Sequence, residues 1–194
     1  MAEIKASGMI PDGGTILELG TGYCYDHWAL FGEGYRFIPS DINAFGRDDI
    51  EFMDAEDIPR DKYLELDAIL AIELLEHVKR PLKVLRDCSR HLKPSGIMVV
   101  TVPFSFKWHT GSVVTDYHRF TPDGLALLFG RAGYGRYFTD ARYLETDEEL
   151  KPSWVVGWAQ REQIIGEWKV DVPQNWRQLQ MQAEHRWKER DMAL

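Results

Sequence analysis

The chain has 194 residues, 44% apolar and 28% charged, which is the composition of a globular domain and excludes a mostly disordered or collagen-like chain. With 23 Lys and Arg against 31 Asp and Glu the net charge is −8, which opposes binding to phosphate backbones and acidic lipid surfaces, so neither nucleic acid nor membrane is an expected partner. One main domain is expected at this length, and no stretch reaches the roughly 18 apolar residues of a membrane helix.

The opening segment, MAEIKASGMIPDGG, lacks the apolar core of a secretory signal. Two cysteines, Cys24 and Cys88, form no CxxC pair and lie beside no histidine cluster, so a reducing, cytoplasmic setting without a zinc site is expected. Aromatic residues make up 12% of the chain.

Strand-like runs at Thr15 to Leu19, Tyr35 to Ser40, Asp67 to Ile72 and Ile97 to Val102 alternate with helix-period stretches. That alternation predicts helices on both faces of a mostly parallel sheet, with strands buried on both sides. Pro39 weakens the second strand, because proline cannot donate to a ladder. A short helix-like stretch covers Trp28 to Phe31. A helix is predicted from Pro81 to Leu92, with Leu82, Leu85, Ser89 and Leu92 on one face and Pro94 and Gly96 ending it. Another opens on Thr121 as N-cap with Pro122 at its first position, and carries Leu125, Leu128, Phe129 and Ala132 to Gly133. Tyr134 to Tyr143 and Trp154 to Ala159 read as an antiparallel hairpin joined by the acidic stretch Glu145 to Leu150. A polar, helix-favouring tail follows from about Gln174 to Met192, with Trp176, Leu179, Ala183 and Trp187 tending to one side. Residues 1–160 are thus expected to form the domain and 161–194 a helical extension that folds over its own sheet, covers a pocket, or pairs with a second copy in a homodimer.

The sharpest motif is Glu18-Leu19-Gly20-Thr21-Gly22, an apolar strand running into a glycine turn. Glycines let a backbone turn tightly and approach a ligand, and a following helix start offers free N–H groups. Asp41 follows the second strand, 23 residues past Glu18, where a carboxylate in such a fold accepts hydrogen bonds from ribose hydroxyls. A dinucleotide site would use GxGxxG, and Tyr25 occupies the third glycine position, which argues against a nicotinamide cofactor.

These residues resemble the class I S-adenosylmethionine-dependent methyltransferases, in the branch with a small and nearly unadorned catalytic domain. Glu18 to Gly22 is similar to that family's first motif, with Cys24 where a third glycine is often found. Asp41 matches its ribose-binding acid, and Asp54-Ala55-Glu56-Asp57-Ile58-Pro59 its adenine-binding segment. Leu75-Glu76-His77-Val78 with Pro81, and Leu92-Lys93-Pro94-Ser95-Gly96, match the run after the fourth strand and the turn before the fifth, with Ser95 replacing the usual glycine. Val102-Pro103-Phe104, His109 and Asp116-Tyr117-His118-Arg119-Phe120-Thr121 resemble a tract from a subset that often acts in glycan or secondary-metabolite pathways.

The resemblance spans roughly residues 14 to 159. It implies a Rossmann-like α/β fold of seven strands, mostly parallel with an antiparallel last strand. It also implies S-adenosyl-L-methionine as cofactor, with S-adenosyl-L-homocysteine as product. Glu18, Gly20, Thr21, Gly22, Asp41, Ile42, Asp54, Ala55 and Glu73 are the expected cofactor-binding residues.

Methyl transfer is an in-line displacement, so orientation and exclusion of water supply most of the catalysis. A base helps where the acceptor carries a proton, and His109 and His118, in the loop beyond the fifth strand, are the candidates. His77 either lies under the cofactor or caps the following helix, and Asp116 with Arg119 is expected to form an ion pair that fixes the loop. His109, Asp116 and His118 have no metal-binding spacing, so no metal is expected. The expected activity is methylation of a small molecule, at oxygen of a sugar or secondary-metabolite intermediate. A nitrogen acceptor, or an inactive cofactor-binding accessory protein, is the alternative. Tyr23, Tyr25 and Trp28, and Phe104, Phe106, Trp108, Tyr117 and Phe120, are expected to line an apolar acceptor pocket, with the tail tryptophans as its cover or a dimer contact.

Overall fold

In the computed structural model, residues 2–22, 27–43, 45–111, 114–145 and 150–162 are described, all within one compact unit, Met1–Gln163. The elements in chain order are α1 (Ala2–Ala6), β1 (Thr15–Leu19), α2 (Trp28–Phe31), β2 (Arg36–Asp41), β3 (Glu51–Phe52), β4 (Leu66–Ile72), α3 (Pro81–His91), β5 (Leu92–Pro103), α4 (Pro122–Ala132), β6 (Arg136–Glu145) and β7 (Leu150–Gln160). The strands form a seven-stranded sheet in the order β3-β2-β1-β4-β5-β7-β6. β1 to β5 run parallel, and β7 is antiparallel to both β5 and β6. This is the Rossmann-like sheet with an antiparallel last strand that the sequence predicts.

Alternation along the central strands assigns the two faces. Leu17, Ile69, Ala71, Met98 and Val100 pack with Val84, Leu85 and Cys88 of α3 and with Leu125 and Phe129 of α4 in the larger core. Their neighbours Ile16, Ala68, Leu70, Ile97 and Val99 point the other way, onto Ile10 and Phe31, with Ile4 of α1 against them. Strands covered on both faces show uninterrupted apolar runs, which is why β4 and β5 stand out in the sequence.

β2 lies between β1 and β3, but β3 pairs only with Ser40 and Asp41. At Pro39 the sheet therefore ends on β2, where a missing N–H costs no ladder bond. β3 and α1 were not expected from the sequence; Lys5 of α1 donates from Nζ to the carbonyls of Leu30 and Phe31 at 2.8 and 2.9 Å, satisfying the end of the four-residue α2.

α3 ends one residue earlier than its periodicity suggests, and Val84, Leu85, Cys88 and His91 form its buried face. Ser89 is only half-buried, and Leu92 starts β5. In α4 the Thr121 hydroxyl accepts from the Gly124 N–H at 3.0 Å, and Gly133 closes the helix in the left-handed conformation at φ 99°. The helical extension expected in the tail, with its tryptophans, lies outside the described residues. Among the described residues no helix is long and apolar enough to cross a membrane.

Candidate active site

Because β1, β2, β4 and β5 are parallel, their carboxyl ends share one edge of the sheet, and the chain order reverses between β1 and β4. Ligands of open α/β sheets bind in the crevice outside such a reversal. The Gly20 turn, Asp41, Glu73 and the loop after Pro103 all leave from this edge.

Gly20 and Gly22 both sit in the left-handed region, at φ 67° and 69°, where a side chain would be strained. A Cβ on Gly20 would also lie 2.7 Å from Cδ1 of Leu74. The turn is held by buried polar groups. Glu18 is 1% exposed; its Oε2 accepts from the Thr21 hydroxyl at 2.7 Å, and its Oε1 is paired with Nδ1 of His27. Thr21 N–H donates to the Ser40 carbonyl at 3.0 Å, and the Ser40 hydroxyl donates to the Glu18 carbonyl at 2.7 Å. Asp41 bridges β2 to the turn: Oδ2 accepts from Gly22 N–H at 3.0 Å and Oδ1 from Asn43 N–H at 2.9 Å. Each Asp41 oxygen so engaged retains a lone pair.

This donor set fits S-adenosylmethionine. The described groups around the turn are carboxylates, Glu18 and Asp41 with Glu73 beyond, which suit a ligand carrying a sulfonium, an ammonium and a ribose diol. They do not suit a pyrophosphate. Of the adenine-side residues, Ile42 is 52% exposed and Ala55 is buried in the core. Asp54 is exposed, and its Oδ1 accepts from Glu56 N–H at 2.8 Å, so its carboxylate shapes the start of the segment.

On the other side of the reversal stand Glu73, Glu76 and His77. Glu73 adopts φ 51° as β4 ends, and its N–H donates to the Thr101 carbonyl at 2.9 Å. Its Oε1 accepts from the Thr101 hydroxyl at 2.7 Å. Burial pushes the Glu73 carboxyl up, opposed by hydrogen bonds from Thr101 and Trp154 and by the nearby His109 and Arg119.

Glu76 is 1% exposed, and neither carboxylate oxygen accepts a hydrogen bond from a described residue. Burial raises its pKa to about 8, opposed by its own backbone N–H and by Arg119, with Glu73 and Asp116 adding to the rise. The loop after β5 folds back onto this segment, Tyr117 N–H donating to the Glu76 carbonyl at 2.7 Å.

The return of this loop brings His109 to His77. Their Nε2 atoms are 3.3 Å apart and the rings meet edge to face. His77 Nδ1 lies 3.0 Å from the Thr115 carbonyl, and burial holds its pKa down. Asp116, buried, takes the Arg119 guanidinium on both oxygens and accepts from the His109 N–H at 3.1 Å. The hydrogen bonds from Arg119 hold the Asp116 carboxyl below its usual range. Its Oδ2 is also 3.3 Å from His109 Nδ1.

Of the two histidines expected to act on the acceptor, His109 is half-buried within this cluster. The His118 ring packs near Tyr117 and Phe120, and its buried Nε2 finds no hydrogen-bond partner among the described residues. His27 and Glu76 were not singled out in the sequence. Glu76 does sit inside the Leu75-Glu76-His77 motif, whereas nothing in the local pattern marks His27.

The loop aromatics divide. Phe120 is buried in the core and Phe104 packs against it, while Trp108, Phe106 and Tyr117 are exposed. Tyr23 and Tyr25, with the side chain of Trp28, lie outside what is described.

Among curated proteins none matches the chain in sequence. Solved structures show the same fold at low identity. One is a structure of the complex between the Haloferax volcanii Trm112 methyltransferase activator and a methyltransferase (20% identity, 84% of this chain and 90% of that one, TM-score 0.65). Another is a SAM-dependent methyltransferase from Methanosarcina mazei (18%, 81% and 96%, TM-score 0.61). A third is the Burkholderia thailandensis 1,6-didemethyltoxoflavin-N1-methyltransferase with bound 1,6-didemethyltoxoflavin and S-adenosylhomocysteine (17%, 84% and 76%, TM-score 0.62). A family model for a methyltransferase domain matches residues 3–185. The chain therefore belongs to that family and is a class I S-adenosylmethionine-dependent methyltransferase.

Proposed function

We propose that the protein methylates a small molecule at oxygen, with a sugar or secondary-metabolite intermediate as the acceptor class. The observation that carries this reading is the position of His109. Its ring stands at the same sheet edge as the glycine turn, and the Asp116 carboxylate beside Nδ1 turns Nε2 toward the crevice side occupied by His77. An imidazole oriented by a buried carboxylate is the arrangement that handles the proton of a hydroxyl acceptor. The net charge of −8 disfavours a nucleic-acid acceptor.

S-adenosylmethionine supplies an electrophilic methyl group on sulfur. The chain's own work is to hold and align. Gly20 and Gly22 allow the backbone close to the cofactor's amino-acid part, with Glu18 and Thr21 fixing that turn. Asp41 takes the ribose hydroxyls on its remaining lone pairs. Ile42, Asp54 and Ala55 border the adenine, and Glu73 faces the methionine end. The exposed Phe106, Trp108 and Tyr117 offer apolar surface to the acceptor. A nitrogen acceptor is the second reading: the Glu73 carboxyl at this edge suits an amine, and the Burkholderia neighbour is by name an N1-methyltransferase.

Thermal unfolding with S-adenosylmethionine or S-adenosylhomocysteine tests the cofactor site. A ligand at 100 times its dissociation constant adds about 2.7 kcal/mol. A shift with either, weakened strongly by Asp41→Ala, is expected, and no shift at millimolar concentration contradicts the assignment. Accumulation of S-adenosylhomocysteine with pools of hydroxylated rather than amine small molecules then separates oxygen from nitrogen. Persistent absence of turnover with both favours an accessory protein that binds without catalysing.

A further inference from the structure

The acceptor side contains three ligand groups that converge without a partner between them. Glu76, His77 and His109 each present one atom, and all three atoms lie within 4.8 Å of one another. The hydrogen-bonding pattern fixes how they face. Nδ1 of His77 lies against the Thr115 carbonyl at 3.0 Å, and Nδ1 of His109 against the Asp116 carboxylate and the Lys107 carbonyl, both at 3.3 Å. Carbonyl and carboxylate oxygens only accept, so each Nδ1 carries the hydrogen and each Nε2 of a neutral ring carries a lone pair. Two lone pairs then oppose each other at 3.3 Å, with Glu76 Oε1 3.6 Å from His77 Nε2.

Such an arrangement repels itself unless a positive species lies between the atoms. A proton shared by the two nitrogens or a metal ion supplies it, and the spacing fits the metal. At a metal–ligand distance of about 2.1 Å, two ligands at the tetrahedral angle are about 3.4 Å apart, close to the 3.3 Å between the two Nε2 atoms and the 3.6 Å from Glu76 Oε1 to His77 Nε2. Glu76 adds the second observation. It is a carboxylate in the protein interior, 1% exposed, with no described hydrogen-bond donor on either oxygen. A buried carboxyl stays protonated unless a partner or a metal ion compensates its charge.

We propose that Glu76, His77 and His109 bind one divalent transition-metal ion. Two imidazoles and one carboxylate select zinc, manganese, cobalt or iron over magnesium and calcium, which prefer oxygen ligands throughout. Thr115 and Asp116 orient the two rings from behind, as outer partners of metal-bound histidines do. Coordination sites left open by three protein ligands would take an oxygen ligand and make its proton easier to lose. Ion binding is independent of the acceptor reading above; only this consequence rests on it. With the ion present His109 is a ligand in place of the base proposed above, and the proton of a metal-bound acceptor hydroxyl passes to solvent water as its oxygen takes the methyl group.

The test is titration of chelator-treated full-length protein with cobalt(II) chloride, read by its visible absorption, followed by competition with zinc chloride and magnesium chloride. Saturation at a single equivalent, displaced by zinc and not by magnesium, is expected. Glu76→Gln, His77→Gln and His109→Gln should each weaken binding at least tenfold, and Asp116→Asn by roughly 10- to 100-fold. Should a variant fail to fold, histidine nitrogen NMR of the wild type during zinc titration supplies the answer, with the Nε2 signals of His77 and His109 expected to move. No cobalt binding by the wild type, binding undiminished in all three ligand variants, or an Nε2 proton shared by the two rings that zinc does not displace would each overturn the proposal. Loss of turnover on chelation, with S-adenosylhomocysteine binding retained, is expected if the ion serves the acceptor. Turnover insensitive to metal would leave the methyl-transfer reading standing and remove this consequence.

Discussion

Asp41→Asn perturbs the point where fold and cofactor site share one group. Both oxygens of Asp41 are engaged in the free protein, Oδ2 by Gly22 N–H at 3.0 Å and Oδ1 by Asn43 N–H at 2.9 Å. An asparagine has a single acceptor oxygen, so its NH2 must face one of those N–H groups, donor against donor. A hydrogen bond to a charged group contributes about 1.5–3 kcal/mol. At about 2–4 °C per kcal/mol for a domain of this size, the free variant should melt roughly 3–12 °C lower. The same loss acts on the ligand, because the ribose diol donates two hydrogen bonds and the amide can accept only one. With 1.4 kcal/mol per tenfold, affinity for S-adenosylhomocysteine should fall roughly 10- to 150-fold. Thermal unfolding of the free protein reads the first effect and calorimetric titration the second. An unchanged melting temperature would refute Asp41 as the brace of the turn, and unchanged affinity would refute it as the ribose ligand.

Gly20→Ala should destabilise by about 1–2 kcal/mol from the left-handed φ alone, and further from the contact with Leu74. Adding Leu74→Ala to that variant should remove the contact share and leave the φ share, a separation that a double-mutant cycle in denaturant measures. Ser95 occupies φ 71° and bonds through its backbone to Arg161 and Gln160. Ser95→Gly relieves about 1–2 kcal/mol of strain against about 0.5–1 kcal/mol of added chain entropy. A higher melting temperature is expected, and a lower one contradicts the strain argument. Burial leaves Cys88 fully enclosed and its thiol raised far above the usual range. In a Cys24→Ser background the native protein should therefore not react with a thiol reagent until denaturant exposes Cys88; native-state labelling would contradict this.

The sheet was legible because its central strands are covered on both faces. Ile69, Ala71, Met98 and Val100 are needed by one layer of helices and Ala68, Leu70, Ile97 and Val99 by the other, so β4 and β5 stand out as apolar runs. Thr121, Pro122 and Gly133 mark α4 through local capping chemistry. The two-residue β3 and five-residue α1 are too short for periodicity to register, and they are held by the parallel pairing of Ser40 and by Lys5 reaching α2.

At the site, the Gly20 turn and Asp41 were visible as spacing along one strand-turn-strand unit. The meeting of His77 with His109 was not. It depends on the loop after β5 returning across the sheet edge, fixed by the hydrogen bond from Tyr117 to the Glu76 carbonyl over a long sequence separation. The same return sends Phe120 into the core and leaves Trp108 exposed, a division that composition could not supply.

The most direct measurement of the central claim is a crystal structure with S-adenosylhomocysteine bound. Both ribose hydroxyls are expected within hydrogen-bond distance of the Asp41 carboxylate, about 2.7 Å, with the amino-acid part against the Gly20–Gly22 backbone and the sulfur turned toward Glu73 and His109. S-adenosylhomocysteine lodged away from the carboxyl edge of β1 and β2, or its sulfur turned away from His109, would contradict that claim.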